Sequence, residues 1–323
     1  MCCFAFFAGV LSGCEARKAV EPIGETRLLL DTVCSITIFE PPDRAILADA
    51  MDLCESYEAL LSVTKEGSDV WRVNHAGGAA VTVSPETAEV IRAGLRFGKE
   101  SGGMFDITIG RLSGLWDFKS APAVPAANEL AAALDTVDYE KVELTGDAVR
   151  MENPEARLDL GGVAKGYIAD RIAAFLKERG VKAAVIDLGG NVVLVGKKTD
   201  GSPWRVGVRK PFAENGELLG VIETGEASVV TSGIYERQFE SGGMVYHHIL
   251  DPNTGMPVSS DVVSATVVTD NSMAGDALST MLVLLGSDKA AELLENAPGF
   301  IGAALVLSNG EVAKYGDIDL RLD

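Results

Sequence analysis

The sequence predicts an α+β fold organised as one large domain with mixed and antiparallel sheets and flanking helices. Segments of helical periodicity and short β-rich runs are interleaved without strict alternation, which argues against a doubly wound parallel sheet. Many of the β-rich runs close on glycine or Asn/Asp turns, as hairpins do. Of 323 residues, 47% are hydrophobic and 23% charged, so the chain can bury a core. No Pro/Ser-rich linker divides it, and no period of roughly 20–50 residues repeats.

The elements follow in order. The apolar start, "MCCFAFFAGVLSGC", falls short of the roughly 20 residues that span a bilayer and reads as the core of an export signal over residues 1–14. Its end, Leu11 to Cys14, resembles a bacterial lipobox, which makes Cys14 the lipidated residue and places the protein outside the cytoplasmic membrane, held by a lipid anchor. No Lys or Arg precedes the apolar run, so the true start lies upstream or the signal is atypical. Leu47, Met51, Cys54 and Leu61 share one helical face, and Cys34 lies in a strand-like run; both cysteines are expected as buried thiols. Ser84-Pro85 opens a helix through Ile91 and Leu95 that Gly102-Gly103 stops. Ile168, Ile172 and Phe175 mark a third helix ended by Gly180, and a fourth runs from Met273 through "DALSTMLVLLG", followed by a short helix capped by Ser287. Between them lie the strand candidates "AVIDLGG", "VVLVG", "WRVGVRK", "YHHIL", "VVSATVVTD" and "AALVLS", the last leading into a hairpin tipped by Asn309-Gly310.

A net charge of −19 excludes phosphate-backbone binding as a main activity, because no cluster of Lys and Arg is present to neutralise it. An anionic ligand then needs a local device, such as a metal ion or converging backbone N–H groups.

Four segments carry candidate chemistry. In "RLDLGGVAKGYIADRI" a strand ending at Leu160 meets two glycines and a helix, a junction that brings backbone N–H groups and Lys165 up to an anion. In "MAGDALST", Asp276 and Thr280 lie four apart on one helical face, where a carboxylate and a hydroxyl can share a hard cation, with Ser279 beside them; Asp276 is alternatively a helix cap. "SGGMFDITIG" is a glycine-flanked loop feeding an apolar strand, in which Asp106 accepts hydrogen bonds from a ligand or caps the turn. "VVTSGIYERQFESGGMVYHHILDPNTG" offers Thr231, Ser232 and Gly233, then His247 and His248. A strand sends those two imidazoles to opposite faces, so at most one serves a given site.

Together these segments resemble the ApbE family of flavin transferases, from about residue 25 to the C-terminus, which sets the expected catalytic domain at 25–323. The most specific matches are "DLGGVAKGY", "SGIYER…YHHILDPNTGMPV" and "AGDALST", in family order, with "SGGMFDITIG" followed by Leu115-Trp116 in support. The resemblance implies a T-fold-related domain that takes FAD and attaches its FMN half through a phosphoester to a threonine of an exported acceptor, such as a domain of a redox complex, releasing AMP. It implies Mg²⁺ held by Asp276, Thr280 and a carbonyl of the glycine turn, assigned to Gly162. It implies His248 as the base for the threonine hydroxyl, and dinucleotide contacts from Met104, Phe105, Asp106, Asp159, Lys165 and Leu250. The chain departs from the family pattern at Leu30-Asp31-Thr32, where Met-Gly-Thr is common, and at Ser232-Gly233-Ile234-Tyr235, where the third residue is often Asp. A Mg²⁺-dependent FAD pyrophosphatase and a non-catalytic FAD-binding lipoprotein are the rival readings.

Overall fold

The computed structural model describes residues 21–213 and 216–322; residues 1–14, expected as an export signal, and with them Cys14, lie outside the described residues. Eight strands form one sheet, in the spatial order Ile23–Leu29, Thr32–Glu40, Ala183–Leu188, Asn191–Gly196, Ala227–Gly233, Val262–Thr269, Phe300–Leu307 and Val312–Gly316. Every neighbouring pair is antiparallel. The fold is therefore α+β with antiparallel sheets, as expected.

Side chains alternate across this sheet, and both faces are covered. One face packs against the helices Arg44–Leu61, Ala164–Glu178 and Ser272–Leu285, through Ile36, Ile186, Val267 and Leu305 among others. The opposite face, with Ala183, Leu194, Val229, Val268 and Ala304, meets a three-stranded sheet of Trp204–Arg209, Leu218–Thr224 and Asp319–Leu322. With both faces covered, all eight residues of Val262–Thr269 are buried, Ser264, Thr266 and Thr269 among them. Cys34 and Cys54 are free thiols in the helix-side core.

The tetrad "DLGG" occurs twice and does two different things. Gly189 and Gly190, at φ 68° and 92°, form the tight turn between two adjacent strands, whereas Gly161 and Gly162 lead into a helix. At the first hairpin Leu30 and Asp31 both sit in the left-handed region, at φ 54° and 59°. Asp31 thus stands where the family pattern favours glycine, and aspartate is among the side chains that tolerate that conformation best.

Several expectations need correction. The strands expected after the glycine-flanked loop and before Leu160 do not form: residues 107–108 are a turn, Ile109 and Arg157 make a single bridge, and beyond Gly110 N donating to Arg157 O at 2.9 Å and Asp159 N to Ile107 O at 2.8 Å the pairing goes no further. The reason lies in two side chains. Asn74 takes both backbone groups of Leu158, accepting from its N–H at 2.6 Å and donating to its carbonyl at 3.0 Å, so no strand can pair there. Asp106 bends the other segment by accepting from Thr108 N and Oγ1. The strand Met244–His247 also ends one residue early, leaving His248 at a bend. Ser287 is the first residue of its helix, and Gly286 precedes it as the cap.

Candidate functional site

The helices Ala164–Glu178 and Ser272–Leu285 cross at a contact that only glycine permits. A Cβ on Gly166 would collide with the Ser272 carbonyl oxygen, so any larger residue forces the helices apart. The close approach lets Gly166 N donate to Asp276 Oδ2 at 3.0 Å. Asp170, two turns into the first helix, accepts from Asn271 Nδ2 and from the N–H groups of Ser272 and Met273, all at 2.8–2.9 Å. Asn271 caps the second helix, so Asp276 lies a full turn inside it and is not a cap. The Asp276 carboxylate is 3% exposed. Its other oxygen, Oδ1, faces the Lys165 ammonium at 3.4 Å, and the same ammonium donates to the Gly161 carbonyl at 3.0 Å.

One helical turn beyond, Thr280 Oγ1 donates to the Asp276 carbonyl at 3.3 Å and lies 3.1 Å from Ser232 Oγ, which is 2.8 Å from Ser279 Oγ. The strand Ala227–Gly233 is thereby fastened to the helix carrying Asp276. Its continuation, Gly233 to Arg237, enters the hairpin Gln238–Ser241/Met244–His247. His248 N donates to Arg237 O at 3.1 Å, extending that hairpin by one hydrogen bond. Beneath it, Phe239 and Tyr246 stack at 5.3 Å and Trp116 packs on both, while Trp116 Nε1 donates to Gly255 O at 3.1 Å. Trp116 therefore fixes the hairpin and the following Asp251–Gly255 turn in one position.

His248 is half-buried, and its Nδ1 is shut off from solvent without a hydrogen-bond partner. Burial, reinforced by Arg237, His247 and Lys165, lowers its pKa to about 4, so the imidazole is neutral at ordinary pH. His247 is buried, and its Nδ1 is likewise unpartnered; burial lowers its pKa as well. Glu236, in the 234–237 turn that leads into the hairpin, is raised by desolvation against the pull of Lys165, Arg237 and Arg209. Glu236 places a carboxylate in the field of Asp276 and Lys165, two positions beyond Ile234, where the sequence departs from the family pattern.

The remaining candidates divide. Asp159 accepts from Gly161 N and Ser113 Oγ, both at 2.9 Å, and walls a cleft of about 250 Å³ with Val63, Asn74, His75, Ser113 and Arg157. Phe105 packs on Gly162, where an added Cβ would stand 2.8 Å from its ring. Met104 Sδ lies 3.3 Å from Asn253 Nδ2 in the turn after His248. Leu250 is buried in the Trp116 cluster, so its side chain is spent on packing. The Asp106 carboxylate is 8% exposed and serves Thr108 N, Thr108 Oγ1 and Tyr139 N, which matches the turn-capping alternative. The glycine-turn carbonyl that meets the Lys165 ammonium is that of Gly161. Sequence reasoning missed Asn74, Asp170, Trp116 as a hairpin anchor, and Glu236. Each acts on backbone remote in sequence or on a neighbour that only folding supplies.

The donor set has a clear chemical bias. Asp276, the Gly161 carbonyl, Thr280, Ser232 and Ser279 offer oxygen alone, and no cluster of three or more His, Cys, Asp or Glu exists among the described residues. Such a set suits a hard cation such as Mg²⁺ and not zinc.

A mixed antiparallel fold with a buried oxygen-donor site beside a neutral imidazole and a glycine turn defines the class, and comparison with known proteins supplies the family. The ApbE family model matches residues 30–305, and the chain belongs to the ApbE family. It is 37% identical over 274 residues, covering 84% of each chain, to the FAD:protein FMN transferase of Klebsiella pneumoniae (strain 342). It is 32% identical to that of Treponema pallidum (strain Nichols), covering 96% of this chain and 91% of the relative. The ApbE protein of Thermotoga maritima superposes with a TM-score of 0.81 at 30% identity, covering 91% of this chain and 97% of that one. The flavin transferase ApbE of Vibrio cholerae gives 0.80 at 27%, covering 91% and 96%.

Proposed function

We propose that this protein is an FAD:protein FMN transferase, moving the FMN half of FAD onto a threonine of an acceptor protein and releasing AMP. Family membership supports the reaction class, and the surroundings of one side chain carry its assignment to this site. Lys165 sits within hydrogen-bonding reach of Asp276 and the Gly161 carbonyl and within electrostatic reach of His248. Three of the four motifs thus meet around Lys165.

His248 is the proposed base. Its neutral imidazole can accept the threonine proton as the hydroxyl attacks the phosphorus on the FMN side. The FAD pyrophosphate would lie along Asp159, the glycine turn and Lys165, with the neighbouring cleft taking part of the dinucleotide. Asp276, Thr280 and the glycine-turn carbonyls of Gly161 and Gly162 are the groups that would hold Mg²⁺, which when bound supplies charge stabilisation for the departing AMP. Asp170 and Gly166 keep Asp276 in place, and Trp116 does the same for His248. Anchoring of the protein outside the cytoplasmic membrane through Cys14 belongs to the same proposal, since an exported acceptor requires an exported enzyme.

Incubation with FAD, Mg²⁺ and an exported threonine-bearing acceptor domain, read by intact mass, tests the reaction. An FMN adduct on the acceptor is expected. Free FMN and AMP with no adduct would make the protein a pyrophosphatase, and intact FAD would remove the enzymatic reading.

A further inference from the structure

The Lys165 ammonium lies between the two oxygens that a metal would draw from different elements: Asp276 Oδ1 at 3.4 Å and the Gly161 carbonyl at 3.0 Å. We infer that Lys165 is a resident cation for this site, which holds those oxygens until a divalent metal takes them and then turns to the phosphates of the dinucleotide. The inference rests on the proposed reading of the site and assigns to Lys165 a step that reading does not contain.

Three features support the exchange. A carboxylate 3% exposed needs a counter-charge at all times, because an unpaired buried charge is costly. The pair with Lys165 is loose, since 3.4 Å exceeds the roughly 2.7–2.9 Å of a tight charge-assisted hydrogen bond, and the lysine side chain is 30% exposed. Asp276 itself does not have to move, because Gly166 N holds Oδ2 at 3.0 Å and leaves Oδ1 aimed at the incoming ion. A compact ammonium on a flexible four-carbon stem can swing away where a guanidinium fork would stay paired. Once displaced, it is repelled by the metal and drawn to an anion. Metal and FAD should therefore each strengthen the binding of the other.

The test is Mn²⁺ binding in the absence of FAD, followed by loss of the free-ion EPR signal, for wild type, Lys165→Gln, Lys165→Met, Asp276→Ala and Arg237→Gln, each checked by thermal melting. Removing the competitor should tighten Mn²⁺ binding about tenfold in both Lys165 variants. Arg237→Gln deletes a nearby charge that touches neither oxygen, and should change affinity less than about twofold. FAD should then tighten Mn²⁺ binding more in wild type, within the roughly 5–150-fold common for coupled sites, than in the Lys165 variants. Equal or weaker Mn²⁺ binding in the Lys165 variants overturns the inference, as does an equal gain in Arg237→Gln, which would reduce the effect to a through-space field. Binding that survives Asp276→Ala instead overturns the metal site itself.

Discussion

His248 makes a quantitative prediction about acid. In the unfolded chain its pKa is about 6.5, and in the folded protein burial together with Arg237, His247 and Lys165 depresses it to about 4. The folded state therefore binds fewer protons than the unfolded state between those values. Its stability contribution is whole above pH ~6.5 and is lost as pH falls through about 4. At about pH 4.5 the loss from this one group comes to roughly 2.5 kcal/mol, at 1.36 kcal/mol per pKa unit. Asp170 works in the opposite direction: burial raises its carboxyl to about 6, so its contribution is present at low pH and declines as pH rises through that value. It is common to wild type and His248→Gln and cancels between them. Urea unfolding of both proteins at about pH 7.5 and pH 4.5 should show wild type losing about 2.5 kcal/mol more than the variant. Parallel losses would refute the claim that this imidazole is held neutral by its surroundings. The same argument predicts that transfer kcat/KM in wild type stays level from about pH 8 down to the region near pH 6 where Asp170 takes up its proton. An acid limb near pH 6.5 would mean an imidazole in free exchange with solvent.

Gly166→Ala should cost at least about 1–3 kcal/mol, because its Cβ meets the Ser272 carbonyl and not a yielding side chain, and Mn²⁺ affinity should fall with it; an unchanged melt would refute the helix contact. Asp106→Ala should lower stability by about 2–4 kcal/mol, since three donors lose their acceptor at a buried site, while FAD affinity below the melting transition is kept. Lost FAD binding in a stable variant would make Asp106 a ligand contact after all. Trp116→Ala should destabilise by about 3–5 kcal/mol and slow transfer more than it weakens FAD binding, because it frees the hairpin that carries His248; equal effects on both would refute the anchoring role. Asp31→Gly should raise stability by about 0.5–1 kcal/mol in a thermal melt, by relieving a left-handed aspartate.

What the sequence determined by itself is local and periodic. The four main helices, the antiparallel hairpins and the helical face shared by Asp276 and Thr280 follow from residue spacing, because 3.6- and 2-residue periods are properties of the backbone. The motif resemblance named the family because its matched residues keep their order along the chain. What only the tertiary structure decided depends on elements far apart in sequence. Asn74 replaces a strand for Leu158 across 84 residues, and Asp170 clamps a helix that begins 102 residues later. Within the glycine turn, the Gly161 carbonyl meets the Lys165 ammonium while Gly162 packs against the Phe105 ring, a division set by folding and not by the motif. His248 falls beyond the end of its strand because the partner strand begins only at Gln238, so the alternation that would have placed the two imidazoles on opposite faces no longer governs it. The depressed pKa of His248 and the loose hold of Lys165 on Asp276 arise from desolvation and from charges on other elements, and exist only once the chain has folded.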